Sequence, residues 1–144
     1  MPRLDAERIS LWRQYCLWSD SLQRRVDQQL MEDHDLPLAW YDCLTAIRDA
    51  GGELRVHELC DTLGEVPSSL SRRLDRLEDE GLVRRSQPPR HGDRRAVTVS
   101  LTAAGRAVWR DANITYRRMV QQLFAQRLTD TDITALMRVF TKFG

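Results

Sequence analysis
The sequence predicts a mainly α-helical fold with one small β-hairpin set among the helices. Three observations predict it. Apolar residues recur at steps of three or four along most of the chain, which stacks them on one face of a helix. Strict alternation is confined to one stretch, where Val97, Val99 and Leu101 interleave with Thr98 and Ser100. Gly51-Gly52, Gly64 and Gly81 close helical stretches, while Pro37 and Pro67 open them.

Residues 8–31 form the first helix, with Leu11, Tyr15, Trp18, Leu22, Val26 and Leu30 on one face and Trp12 and Cys16 beside it. The stretch from Asp33 to Pro37 breaks that pattern. Residues 37–49 form the second helix, facing inward with Leu38, Tyr41, Leu44 and Ile47 or Ala46. A third covers about 55–63 through Val56, Leu59, Cys60 and Leu63. The fourth, 67–80, has the stripe Leu70, Leu74 and Leu77. Leu82 to Arg85 and Ala96 to Leu101 are the two strands of the only hairpin expected, joined by a loop holding two prolines and Gly92. Thr102 caps a long fifth helix with Ala104, Val108, Ala112, Tyr116, Met119 and Leu123 inside. Thr129 with Asp132 three residues on resembles a capping box before a sixth helix, which carries Ile133, Leu136, Met137 and Phe140.

Three helices followed by a hairpin is the order of a winged helix-turn-helix. The expected organisation is one domain, 1–144, with a winged-helix core at 36–101. The flanks, 5–35 and 102–144, are apolar on one face and have no partner in sequence, so they are expected to be dimerisation helices of a homodimer.

Bulk properties narrow the function. With 144 residues, 42% hydrophobic and 30% charged, the chain reads as a globular protein that can bury a core without disulfides or metal. The net charge is only +1, so charge placement matters more than its sum. Residues 66–95 carry eight Arg against five Asp/Glu, and residues 102–144 carry six Arg and one Lys against three Asp. Residues 1–36 are net acidic, with five Arg against seven Asp/Glu. Lys142 is the only lysine. Arginine's planar fork suits phosphate and guanine edges, although a GC-rich genome produces the same bias. Cys16, Cys43 and Cys60 are odd in number and lack CxxC spacing, which argues against disulfides and zinc. His34, His57 and His91 lie far apart, so no metal site and no cofactor is expected. No apolar run reaches membrane length and no leader is evident, so a reducing cytoplasm is the expected location. No nucleophile–base pairing or glycine-rich phosphate loop appears, so the chain is not read as an enzyme.

Residues 66–102, VPSSLSRRLDRLEDEGLVRRSQPPRHGDRRAVTVSLT, carry the functional signal. In a helix-turn-helix the second helix enters the major groove with its N-terminal half near the bases. Ser68, Ser69, Ser71, Arg72 and Arg73 occupy that half, opposite the leucine stripe. Arg72 and Arg73 could reach guanine, and Arg76 could meet phosphate or pair with Glu80. Glu78, Asp79 and Glu80 lie at the far end, where phosphate repels them least. Arg90, His91, Arg94 and Arg95 surround the hairpin tip and suit a minor groove. Asp93 is expected to brace that tip. Read alone, the fourth helix is more readily a solvated charged face, and the basic hairpin tip shifts the reading toward DNA.

VHELCDTL, SRRLDRLEDEGLVRR and GDRRAVTVSLTAAGR together resemble the MarR family of bacterial transcription regulators, and LPLAWYDCLTAI is similar to the family's second helix. The resemblance spans roughly residues 8–143. It implies a homodimeric winged-helix protein that binds a pseudo-palindromic operator in double-stranded DNA, often represses, and is often released by a small ligand. It sets the family's Asp-x-Arg wing signature on Asp93 and Arg95, and the recognition positions on Ser68 to Arg73. Many members carry an apolar residue where this chain has Arg73; extension of the DNA contact is the expectation. Effectors in the family lodge between dimerisation helices and core. Here Trp12, Tyr15, Trp40 and Tyr41, with His34 and Asp42 as polar partners, are the candidates for a small aromatic ligand; hinge core and dimer interface are the competing roles. Two other functions stay open: a winged-helix module for protein–protein contact, and a thiol redox sensor through Cys16.

Overall fold
The computed structural model describes residues 5–86 and 97–144. Its elements are α1 (Ala6–His34), α2 (Leu38–Asp49), β1 (Glu53–Arg55), α3 (Val56–Leu63), α4 (Pro67–Asp79), β2 (Val83–Arg85), β3 (Thr98–Leu101), α5 (Ala103–Leu123) and α6 (Asp130–Phe140). Single 3-10 turns follow α5 at Ala125–Arg127 and α6 at Thr141–Phe143. The mainly α fold with a small sheet is the one expected.

The helices end where local chemistry ends them. Asp5 caps α1 by accepting from the Arg8 N–H at 3.1 Å. Asp35 closes α1 in the left-handed region, φ 50°, so this helix runs further than the apolar stripe suggested. Pro37 provides no side-chain cap for α2. Asp27, on α1, accepts from the Leu38 N–H at 2.8 Å and takes over that task from a neighbouring element. Thr129 and Asp132 form the capping box at α6, with bonds of 3.0 and 3.1 Å.

The sheet has one strand more than expected. β1 pairs antiparallel with β3 in the register Leu54↔Val99, and β3 pairs with β2 in the register Arg84↔Ser100. The strand order is therefore β1-β3-β2. Three residues are too few to show alternation, and only the free edge of β3 makes Glu53–Arg55 extended. Thr102 links sheet and helix: its hydroxyl donates to Gly81 O at 2.6 Å and accepts from the Gly105 N–H at 3.0 Å. Gly105 is fixed by packing, since a Cβ there would lie 2.0 Å from Leu82 O.

The buried apolar residues form two clusters. One joins Leu44, Ile47, Leu59, Leu70, Leu74, Leu77, Val83 and Val99 inside the winged-helix region. The other joins Val26, Leu30, Leu36, Tyr41, Ala112 and Leu123 where α1 and α2 meet α5. Polar bonds reinforce this second junction. His34 Nε2 lies 2.8 Å from Thr115 Oγ1, and Thr115 and Arg118 each donate to Asp33 Oδ2 at 3.0 Å. Among the described residues no helix is long and apolar enough to cross a membrane.

Candidate nucleic-acid interface
The helix α4 presents two chemically distinct faces. Leu70, Leu74 and Leu77 are fully buried. Ser68, Ser69, Ser71, Arg72 and Arg76 are exposed. Pro67 starts the helix, and Val66 supplies no side-chain cap. The first-turn N–H groups beside Ser68 and Ser69 thus carry the positive end of the helix dipole without an internal partner, a natural seat for phosphate.

Arg73 does not share that open face. Its guanidinium pairs with Glu65 through contacts of 2.8 and 2.9 Å, and its side chain is only 15% exposed. In the DNA-free chain the residue fastens the start of α4 to the turn after α3. The spacing along α4 could not reveal this, because Glu65 lies in the connection before the helix.

The acids of α4 are also engaged. Arg85 Nε donates to Glu78 Oε2 at 2.7 Å, and the same guanidinium pairs with Asp75. Partial burial opposes charge on Arg85, but hydrogen bonds to Glu78 and Asp75 outweigh it and hold its pKa above the ordinary value. This clamp joins α4 to β2 and neutralises two carboxylates on α4. Sequence reasoning placed Glu78 at a distant end and did not single out Arg85. The available signal was the pair of acids at i and i+3, which share one helix face. Arg76 forms no ion pair with Glu80 among the described residues and remains exposed.

The base of the wing closes through Ser86, whose N–H donates to Thr98 O at 2.9 Å while its hydroxyl accepts from the Thr98 N–H at 3.1 Å. Arg90, His91, Asp93, Arg94 and Arg95 lie outside the described residues.

The expected effector residues do not form one cluster. Trp12 and Tyr15 are exposed neighbours on α1, with ring centroids 6.0 Å apart. His34 is at the other end of that helix, roughly 28 Å from Tyr15 at 1.5 Å per residue, and is occupied by Thr115. Tyr41 is buried, donates to Asn113 Oδ1 at 2.8 Å and stacks on Tyr116 at 4.5 Å. Burial pushes its phenol up to about 12. Trp40 packs against both apolar clusters. Trp40 and Tyr41 are structural, because α2 runs between the clusters and presents both faces to them.

A different constellation surrounds an open cavity of about 350 Å³ between α1, α2, α5 and α6. Tyr15, Trp18, Leu22, Tyr116, Phe124 and Phe140 dominate its wall, with Asp42 as its acid. Only Tyr15 and Asp42 were candidates. The others belong to helical stripes, and periodicity does not reveal where two stripes stand apart. Among the thiols, Cys16 is exposed while Cys43 and Cys60 are buried. Burial pushes the Cys43 thiol up to about 12 and raises that of Cys60.

The comparisons agree with this geometry. Residues 34–95 match the model of the MarR family. No curated protein matches the chain significantly. Sco3205, a MarR family transcriptional regulator from Streptomyces coelicolor solved in complex with DNA, is similar at 30% identity and TM-score 0.87, over 99% of this chain and 89% of that one. A cysteine variant of MarR from E. coli, complexed with operator DNA, is similar at 28% identity and TM-score 0.80, over 97% and 99%. The organohalide-sensing regulator RdhR-CbdbA1625, bound to 2,4-dichlorophenol, shares the fold at 22% identity and TM-score 0.79, over 97% and 80%. With Sco3205 30% identical over 99% of this chain, and with the helix order and the strands β2 and β3 in place, the chain belongs to the MarR family of transcriptional regulators, which are DNA-binding proteins rather than enzymes.

Proposed function
We propose that the protein is a homodimeric regulator that binds a pseudo-palindromic operator in double-stranded DNA, represses from it, and is released by a small aromatic ligand. One observation carries the DNA reading. The helix α4 exposes Ser68, Ser69, Ser71, Arg72 and Arg76 over a fully buried leucine stripe, while Asp75 and Glu78 are turned to Arg85. Arg72 then reads guanine in the major groove and Arg76 meets phosphate. That relatives were crystallised with DNA supports the DNA reading. In the wing, the family resemblance assigns minor-groove contact to Arg95 with Asp93 as its brace, and Arg90, His91 and Arg94 add charge.

The winged-helix core at 36–101 is the reader in this proposal, and 5–35 with 102–144 form the dimer. Leu11, Trp12, Leu17 and Trp18 of α1, with Ile133, Met137 and Phe140 of α6, stay exposed in the single chain and supply an apolar surface for a second copy. The cavity bounded by Trp18, Tyr116 and Phe124 is the effector seat, and its aromatic wall favours a planar ligand.

Gel-shift titration over a salt series tests the DNA reading. Affinity should fall steeply with salt through counterion release. Arg72→Ala should cost about 1–3 kcal/mol and relax sequence preference. An equal loss on every duplex would reassign Arg72 to phosphate. Binding that ignores salt would favour a protein–protein module instead.

A further inference from the structure
We propose that the groove between the end of α2 and the start of α5 binds a small, multiply charged oxyanion, such as the phosphate groups of a small molecule. The groove holds about 640 Å³ and is lined by Arg48, Asp49, Gly52, Arg106, Trp109 and Arg110. Three guanidiniums face one carboxylate, leaving an excess of positive charge.

Two features show that this charge is poorly compensated by the protein. Arg106 and Arg110 are four residues apart on α5 and therefore sit one above the other, a like-charge pairing that weakens a helix. Among the described residues neither forms an ion pair. Arg106 also lies in the first turn of α5, which contains no acid. Cations there oppose the helix dipole, whereas an anion is favoured.

The site is also held in shape. The Arg48 guanidinium rests 4.1 Å from the centre of the Trp109 ring. That ring is fixed by its N–H, which donates to Thr45 Oγ1 at 2.9 Å, and by stacking against Tyr41 at an interplanar angle of 10°. With Arg48 and Tyr41 against it, Trp109 positions a guanidinium and is not itself a stacking platform for a ligand. Gly52 adopts φ +99°, and a Cβ there would lie 3.0 Å from the Arg106 guanidinium, so Arg106 lies close along the backbone. Asp49 contacts Arg48 at 3.1 Å, with both side chains more than half exposed, and a bound dianion can displace it.

The position separates this groove from the DNA-reading surface. It lies at the Leu101 end of β3, whereas the wing rises from the Thr98 end, about 10 Å away along the strand. No α4 residue lines it.

Inorganic pyrophosphate is the probe, added to the full chain at constant ionic strength. At roughly ten times its Kd it should raise the melting temperature by about 3–6 °C. The double variant Arg106→Gln/Arg110→Gln should lose that rise while keeping the parent's anion-free melting temperature and its affinity for duplex DNA. If the double variant folds poorly, Arg110→Gln alone should weaken pyrophosphate binding about tenfold, read by titration calorimetry. No rise in the parent, or an undiminished rise in the variants, would overturn the site. So would a loss of DNA affinity with a salt slope shallower by about one per arginine, which would make these side chains DNA phosphate contacts.

Discussion
The recognition helix α4 and the N-terminal half of α1 carry the same kind of apolar stripe and use it differently. In α4 the three leucines are fully buried within the chain. In α1, Leu11 is 64% and Trp12 63% exposed, and Tyr15 and Trp18 are also open. A stripe states that a face needs covering, not what covers it. The polar face of α4 is consequently free for another molecule, while the apolar half of α1 awaits one.

This contrast can be broken at either end. The largest effect is expected from Leu74→Ala, which opens a cavity at the centre of the winged-helix cluster and should cost about 2–5 kcal/mol, read by urea denaturation. A loss under ~1 kcal/mol would mean that α4 is not anchored by its stripe. The double change Leu11→Asp/Trp18→Asp should act on assembly instead. Sedimentation should show the variant shifted to monomer while helical content stays close to the parent's, since neither side chain is buried in the single chain. An unchanged sedimentation coefficient would move the dimer surface elsewhere.

A smaller effect is expected where the two faces of α4 are tied to the wing. Arg85→Gln breaks the clamp with Glu78 and Asp75. Its side chain is 27% exposed, so stability should fall by only about 1 kcal/mol after solvent screening. Operator affinity should fall further than stability, because two carboxylates are released beside the DNA and the wing loses its link to α4. Equal losses in the two measurements would make Arg85 merely structural.

The smallest effect concerns acid. Hydrogen bonds from Gln29 and Thr115, with Arg118 adding charge, hold the Asp33 carboxyl below its ordinary value of 3.8. A lowered folded pKa gives stability that is complete above the unfolded value and lost as pH falls through the folded one. Asp33→Asn should therefore flatten the loss of thermal stability below about pH 4. A melting curve with the same acid limb would remove Asp33 from the α1–α5 junction's energetics.

Much of this molecule was legible from its residues. Pro67, the Leu70/Leu74/Leu77 stripe and Gly81 define α4 locally. Thr102 and Thr129 cap their helices with side chains that name their own partners. The strand β1 was not legible, because Glu53–Arg55 is extended only through pairing with β3. Asp27 as the cap of α2, Arg73 as the partner of Glu65 and Arg85 as the partner of Glu78 were equally hidden. In each case a charge is satisfied by a group on another element.

The sequence alone determined the helix order, the sheet's hairpin, the basic Ser/Arg face of α4 and the family these imply. Periodicity and capping act over three or four residues, and that range is written directly into the chain. Only the tertiary structure decided which arginines stay free. Arg72 and Arg76 remain exposed, whereas Arg73 and Arg85 are spent on internal carboxylates. The choice depends on where the α3–α4 turn and the wing strand bring those acids, and that is set by packing around the buried leucines rather than by spacing along α4.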